Sequence, residues 1–132
     1  MRAWVASACA GMIAAMALTG SAVAADKKTL ALVTNASADF WTIARRGTEK
    51  AQAELPNYNI EMYVVGEATA AEQRRVLDNL LTKGVAGVSI SAVDPKNSAD
   101  ILNKVASQAV LFTTDSDAPD TKRVLYIGTD NV

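Results

Sequence analysis

Histidine is absent from this chain, and there is one cysteine, Cys9. Without histidine the commonest general base and metal ligand is missing, so nucleophile–histidine hydrolases and His-based metal centres are excluded. A single cysteine cannot form an internal disulfide, so the fold depends on an ordinary apolar core. No G-x-G-x-x-G and no G-x-x-x-x-G-K-[ST] occurs, which removes the usual dinucleotide and phosphate cradles. Charge of either sign is not in excess: 13 basic residues face 14 acidic ones. That balance offers no electrostatic footprint for nucleic acid or an anionic surface, and no nucleic-acid partner is expected. The segment Thr113–Pro119 lacks the twelve-residue calcium-loop pattern and no Cys/His metal spacing occurs, so no metal is expected; with the phosphate motifs also missing, no cofactor is expected.

What is present begins with a leader-like segment. Arg2 supplies a positive start, Ala3 to Gly20 is uncharged, and Ser21-Ala22-Val23-Ala24-Ala25 places small residues at cleavage-site spacing. This is the anatomy of a secretory signal peptide, cut after Ala24 or Ala25. The run is Ala-rich and interrupted by Ser7, Gly11, Thr19 and Gly20, which makes it weak as a membrane span. Residues 1–25 are therefore expected to be a signal peptide, and residues 26–132 an exported domain.

After Asp26 the apolar pattern alternates between strand and helix. Thr29–Thr34 reads as a buried strand, and Asp39–Leu55 as a helix whose stripe is Phe40, Ile43, Ala44, Gly47, Ala51 and Leu55. Pro56–Asn59 is a turn, and Ile60–Val65 the second strand. Thr69–Lys83 is a helix opened by the capping box Thr69-Ala70-Ala71-Glu72 and stopped by Gly84. Val85–Ser91 is the third strand. Asp94-Pro95 sets an N-cap and a first-turn proline for the third helix, which buries Ser98, Ile101, Leu102 and Val105. Ala109–Thr113 and Arg123–Ile127 are the fourth and fifth strands. The rhythm predicts an α/β fold: a parallel twisted sheet with helices on both faces. Such sheets bind ligands beyond the carboxyl ends of their strands. Three loops fall there: Asn35–Trp41, Ser91–Asp94 and Thr114–Pro119.

Candidate site residues follow from that placement. Trp41 lies one position off the stripe, on the flank shared with Arg45 and Thr48. It either stacks its indole on the apolar face of a sugar ring or shields the helix start; the strand-end location favours the first. Phe40 is a second candidate aromatic, although its stripe position already accounts for it. Asp39 is a helix-start anion or a hydroxyl acceptor. Arg45, one turn on, can reach back to donate to a ligand oxygen. Asp115, nearest to strand four, is the preferred acceptor of ligand hydroxyls, with Asp117 as a turn residue. Asn35 and Ser37 are explained by turn and capping chemistry.

The stretches Lys28–Asn35 and Asp39–Ala51, then Gln73–Leu81, Gly84–Ser91, Asp94-Pro95, Thr114–Asp117 and Tyr126–Asn131, together resemble bacterial periplasmic sugar-binding proteins of the ribose-binding type. That resemblance spans essentially all of residues 26–132. It implies a periplasmic, non-enzymatic protein that holds a monosaccharide or polyol between two lobes and hands it to an ABC transporter permease in the inner membrane. It also implies the flavodoxin-like strand order. In those relatives the first loop reads Asn-Pro-Phe-Phe; here Ala38-Asp39-Phe40-Trp41 keeps the aromatics and loses the asparagine. Their Asp-Arg after strand four becomes Asp115-Ser116. Gly128–Asn131 matches the first crossing between lobes, so the sequence is expected to be an incomplete, amino-terminal lobe. Delivery to a chemoreceptor is the nearest alternative. A sugar-responsive transcription regulator would need a helix-turn-helix where the leader stands, and a secreted enzyme of flavodoxin-like fold would need a cofactor site that the motifs do not supply.

Overall fold

A computed structural model describes residues 26–129. Residues 1–25, expected to be a signal peptide, and residues 130–132, which include part of the expected lobe crossing, lie outside the described residues. The elements are β1 (Lys28–Val33), α1 (Phe40–Glu54), β2 (Tyr58–Tyr63), α2 (Ala70–Thr82), β3 (Gly87–Ile90), α3 (Pro95–Gln108), β4 (Val110–Thr114) and β5 (Leu125–Ile127). Every predicted element is present, with ends shifted by one or two residues. The turn before β2 is shorter than expected, because Tyr58 and Asn59 already pair with Lys28 and Thr29.

All five strands run parallel in the order β2-β1-β3-β4-β5. The register aligns Leu30, Ile60, Gly87 and Val110 in one row and Ala31, Glu61, Val88 and Leu111 in the next. Since neighbours along a strand point to opposite faces, the two rows define the two sides of the sheet. Ala31, Val33, Val88, Ile90 and Leu111 join Leu77 and Leu80 of α2 and Ile101, Leu102 and Val105 of α3 in the core. Helix α1 lies on the other side, over β2, where Gln52 bonds the Tyr58 carbonyl and the Ile60 N–H at 2.9 and 2.8 Å.

That second side is only part-covered. Leu30, Leu32, Ile60, Val110 and Phe112 line an apolar groove of 520 Å³ with Leu55 at the end of α1. Of the stripe read as buried on α1, Ala44 and Ala51 are half-buried, but Phe40, Ile43, Gly47 and Leu55 are exposed, Ile43 by 75% and Phe40 by 58%. Spacing identifies which residues share a helix side; what covers that side depends on the rest of the fold. Parallel sheets are normally buried on both faces, and no described residue fills this one.

The local signals behave as their chemistry requires, with two exceptions. Asp94 caps α3 by accepting from the Asn97 N–H at 3.1 Å and side-chain amide at 2.6 Å; the Asn97 amide, then its backbone N–H, hold the carboxyl below its ordinary range. Gly84 ends α2 at φ 72°, a conformation that favours glycine. Thr69 accepts from the Glu72 N–H as a capping box requires, but Glu72 turns its carboxylate to the N–H groups of Gly66 and Glu67 rather than to Thr69. Asp39 occupies the cap position of α1 in helical geometry, and its side chain caps nothing.

Candidate functional site

The carboxyl ends of β1, β3 and β4 converge where the three predicted loops emerge. Beneath them runs a buried polar floor. Thr34, fully buried, donates to the Ala36 carbonyl and accepts from the Val65 N–H. Gln73 of α2, 1% exposed, donates to the Thr34 and Ser91 carbonyls at 2.9 and 2.6 Å and accepts from the Val93 N–H at 3.0 Å. One side chain thus ties the ends of β1 and β3 to the helix behind them. A glutamine on a helix reads as a surface residue, and only its spacing of four and seven residues from Leu77 and Leu80, which puts it on the same helix side, could have suggested otherwise.

Above this floor stands Asp115, exposed and in the left-handed region at φ 62°. Its backbone N–H donates to the Ile127 carbonyl at 3.0 Å, and its own carbonyl accepts from the Tyr126 hydroxyl at 2.7 Å. The Tyr126 ring reaches it across Gly128, where a Cβ would collide with Tyr126 Oη. Asp115 Oδ2 accepts from Ser91 Oγ at 2.9 Å and from Asn35 Nδ2 at 3.3 Å. Oδ1 accepts nothing from the described residues.

The sequence-predicted site residues fall into two adjoining depressions. Phe40 and Asp115 share one of 330 Å³ with Thr114, Ile127, Gly128 and Thr129. Trp41, Asp39 and Arg45 share another of 240 Å³ with Ser37, Ala38, Thr42 and Val64. The exposures of the two aromatics are the reverse of those expected. Trp41 is 6% exposed and packs inward, whereas Phe40 is the open ring. The rings meet edge to face, 5.0 Å between centroids. The cause is the seating of α1 over β2: Trp41 turns in beside Val64 with Ala44, Thr48 and Ala51 half-buried below it, and Phe40, Ile43 and Gly47 turn out. A buried indole N–H needs a partner, and Trp41 donates to Asn35 Oδ1 at 3.2 Å. Asn35, read as a turn residue, is therefore the link between the two depressions.

Asp117 is held elsewhere. Arg123 donates to both its oxygens at 2.6 and 2.8 Å, and the Thr113 hydroxyl and Ala118 N–H add further bonds. The Arg123 guanidinium, then Thr113 and Ala118, bring its carboxyl down to about 2. Unfolded aspartate titrates near 3.9, so protons bind the unfolded chain first as the pH falls. This contribution to stability is complete above about pH 4 and is lost on descending through about pH 2. It amounts to roughly 1–2 kcal/mol after allowance for solvent screening. Urea midpoints measured from pH 5 to 2 should fall more steeply for the wild type than for Asp117→Asn; parallel curves would remove the ion pair from the account.

A parallel α/β lobe with a fixed, half-satisfied carboxylate and an open aromatic at its strand ends belongs to the class of ligand-binding lobes, with the site where such sheets place it. The chain belongs to the periplasmic binding protein domain family, whose model matches residues 30–132. Among solved structures it is similar to a sugar ABC transporter sugar-binding protein from Bacillus halodurans, at 29% identity and a TM-score of 0.72. It is also similar to AraP, an arabinose binding protein from Geobacillus stearothermophilus, at 28% identity and a TM-score of 0.72. A third is GanP, a glucose-galactose binding protein of the same organism, at 26% and 0.72. Each alignment covers 80% of this chain but only 37%, 37% and 38% of the respective relative, so the chain spans less than two fifths of their length. Comparison with curated proteins gives no match.

Proposed function

We propose that the chain is the amino-terminal lobe of an exported solute-binding protein. In this reading residues 1–25 direct export to the periplasm, and a second lobe closes over a monosaccharide or polyol held at the ends of β1, β3 and β4. The loaded protein then presents the sugar to an ABC permease. The observation that carries the reading is the pairing of Phe40, an open ring 58% exposed, with the Asp115 carboxylate in one depression. A pyranose or furanose offers a C–H face to the ring and hydroxyls to the carboxylate. Trp41 supports from beneath, and Asp39 and Arg45 border the adjoining depression, within reach of a further hydroxyl. Ligand favours closure because it meets both lobes only in the closed form. Nothing is transformed: the site binds and releases.

A single lobe encloses its ligand poorly, so weak, saturable binding is expected. In a two-dimensional ¹H–¹⁵N titration with D-arabinose, D-galactose and D-glucose, the amides of Phe40, Thr114 and Asp115 should move for at least one sugar. Phe40→Ala should weaken that affinity about tenfold. Shifts confined to the opposite sheet end, around Lys28 and Tyr58, or none for any of the three, would refute the site.

A further inference from the structure

We infer that Asn35 is a positioning residue, whose side-chain amide locks the Asp115 carboxylate to the buried Trp41 indole so that Oδ1 alone is offered to a ligand. The inference rests on the reading of Asp115 as a hydroxyl acceptor. The indole Nε1–H can only donate, so the 3.2 Å bond assigns the Asn35 carbonyl oxygen to Trp41. The orientation of the amide is thereby fixed. Its Nδ2 must point the other way, toward Asp115 Oδ2 at 3.3 Å and Ser116 Oγ at 3.4 Å. Ser91 Oγ donates to the same carboxylate oxygen and also accepts the Ser116 N–H at 3.3 Å. Donors from the ends of β1 and β3 therefore converge on Oδ2, and none from the described residues reaches Oδ1.

Several features make a purely structural role a poor account. Asp115 is exposed, so water could satisfy its carboxylate without any clamp. It is held in the left-handed region, where a residue with a Cβ is disfavoured and which aspartate tolerates better than most. Its backbone N–H and C=O are both engaged, by Ile127 and Tyr126. An exposed side chain fixed through both backbone groups and one of two equivalent oxygens is pre-organised to present the other, which lowers the ordering cost of binding. Asn35 transmits that fixation to the most buried aromatic of the site.

The test uses the ¹⁵N-labelled full chain, with the Trp41 indole cross-peak assigned by its loss in Trp41→Phe. Replacing Asp115 by Asn should displace the indole resonance although no hydrogen bond joins the two residues directly. In an Asn35→Ala background the same replacement should leave it unmoved. An indole peak indifferent to Asp115→Asn, or displaced equally in both backgrounds, would overturn the clamp. Should Asn35→Ala not fold, the Asn35 side-chain NH₂ pair decides instead: it must move together with the indole peak in Asp115→Asn, and its staying put refutes the link. A titration with D-arabinose supplies the second arm. Asn35→Ala should weaken binding roughly tenfold, and the double variant should be no weaker than Asp115→Asn alone. Additive losses would refute the positioning role while leaving Asp115 as a contact. If D-arabinose fails to bind the wild type, the sugar reading loses support, and the indole comparison still decides the clamp.

Discussion

Gln73→Leu should cost the fold about 3–5 kcal/mol, read as a fall in the urea midpoint at unchanged slope. The volume changes little, so no cavity argument enters. What is lost is the partner of three backbone groups. The carbonyls of Thr34 and Ser91 and the N–H of Val93 bond to no other described group. Thr34 and Ser91 are themselves fully buried, and each orphaned group carries a desolvation penalty of about 1–3 kcal/mol. Gln73→Glu discriminates further. At neutral pH a carboxylate keeps the bond from Val93 but faces two carbonyl oxygens as an acceptor, so it should be at least as damaging as Leu; protonation at low pH restores one donor and narrows the gap. A loss below about 1 kcal/mol for Leu would mean that water reaches these carbonyls. Total stabilities are of the order of 5–15 kcal/mol, so the predicted change consumes a large part of the margin. It falls at the floor that carries Asn35 and Ser91.

Gln73 also shows where the sequence is legible and where it is not. Alternating periodicities place every strand and helix, because apolar side chains must face a common interior whatever their tertiary neighbours. Asp94-Pro95 and Gly84 are equally readable, since caps and left-handed stops are local chemistry. The rotation of α1 is different. Phe40, Ile43 and Gly47 do form one side, but that side stays open, while the flank running through Trp41, Ala44, Thr48 and Ala51 packs inward. Burial of that flank is a property of how α1 sits on β2, which no local pattern encodes. The same limit applies to the amides. Asn35 and Gln73 carry their meaning in partners 80 and 18 positions away, and each has an adequate local explanation that hides the distant one. Asp117 was separable from Asp115 by its distance from β4, yet its bidentate partner Arg123 lies six residues on, at no helical or strand period.

Asp115→Gly should leave stability within about 1 kcal/mol of wild type while lowering sugar affinity by roughly 10- to 100-fold. Two opposing terms set the first number. Glycine relieves the left-handed strain at φ 62°, worth about 1–2 kcal/mol to a residue with a Cβ. Against that, the Ser91 and Asn35 bonds to Oδ2 disappear. Asn35 is half-buried and can turn to water, whereas Ser91 is fully buried and its hydroxyl loses a partner at a cost of about 1–2 kcal/mol, close to what the relieved strain returns. The backbone bonds to Ile127 and Tyr126 need no side chain and persist. The second number follows from removing an ionised acceptor, whose hydrogen bonds to hydroxyls are the strong kind. Asp115→Asn separates charge from shape: asparagine tolerates the same backbone conformation and keeps one carbonyl oxygen, so its affinity should fall between wild type and Gly. If Asp115→Gly instead destabilised the fold by several kcal/mol, the carboxylate would be a structural tie between the ends of β1, β3 and β4. The free oxygen would then be a by-product of that tie rather than its purpose. A stable, non-binding glycine variant shows the reverse: a strained residue kept at the strand ends for what it presents.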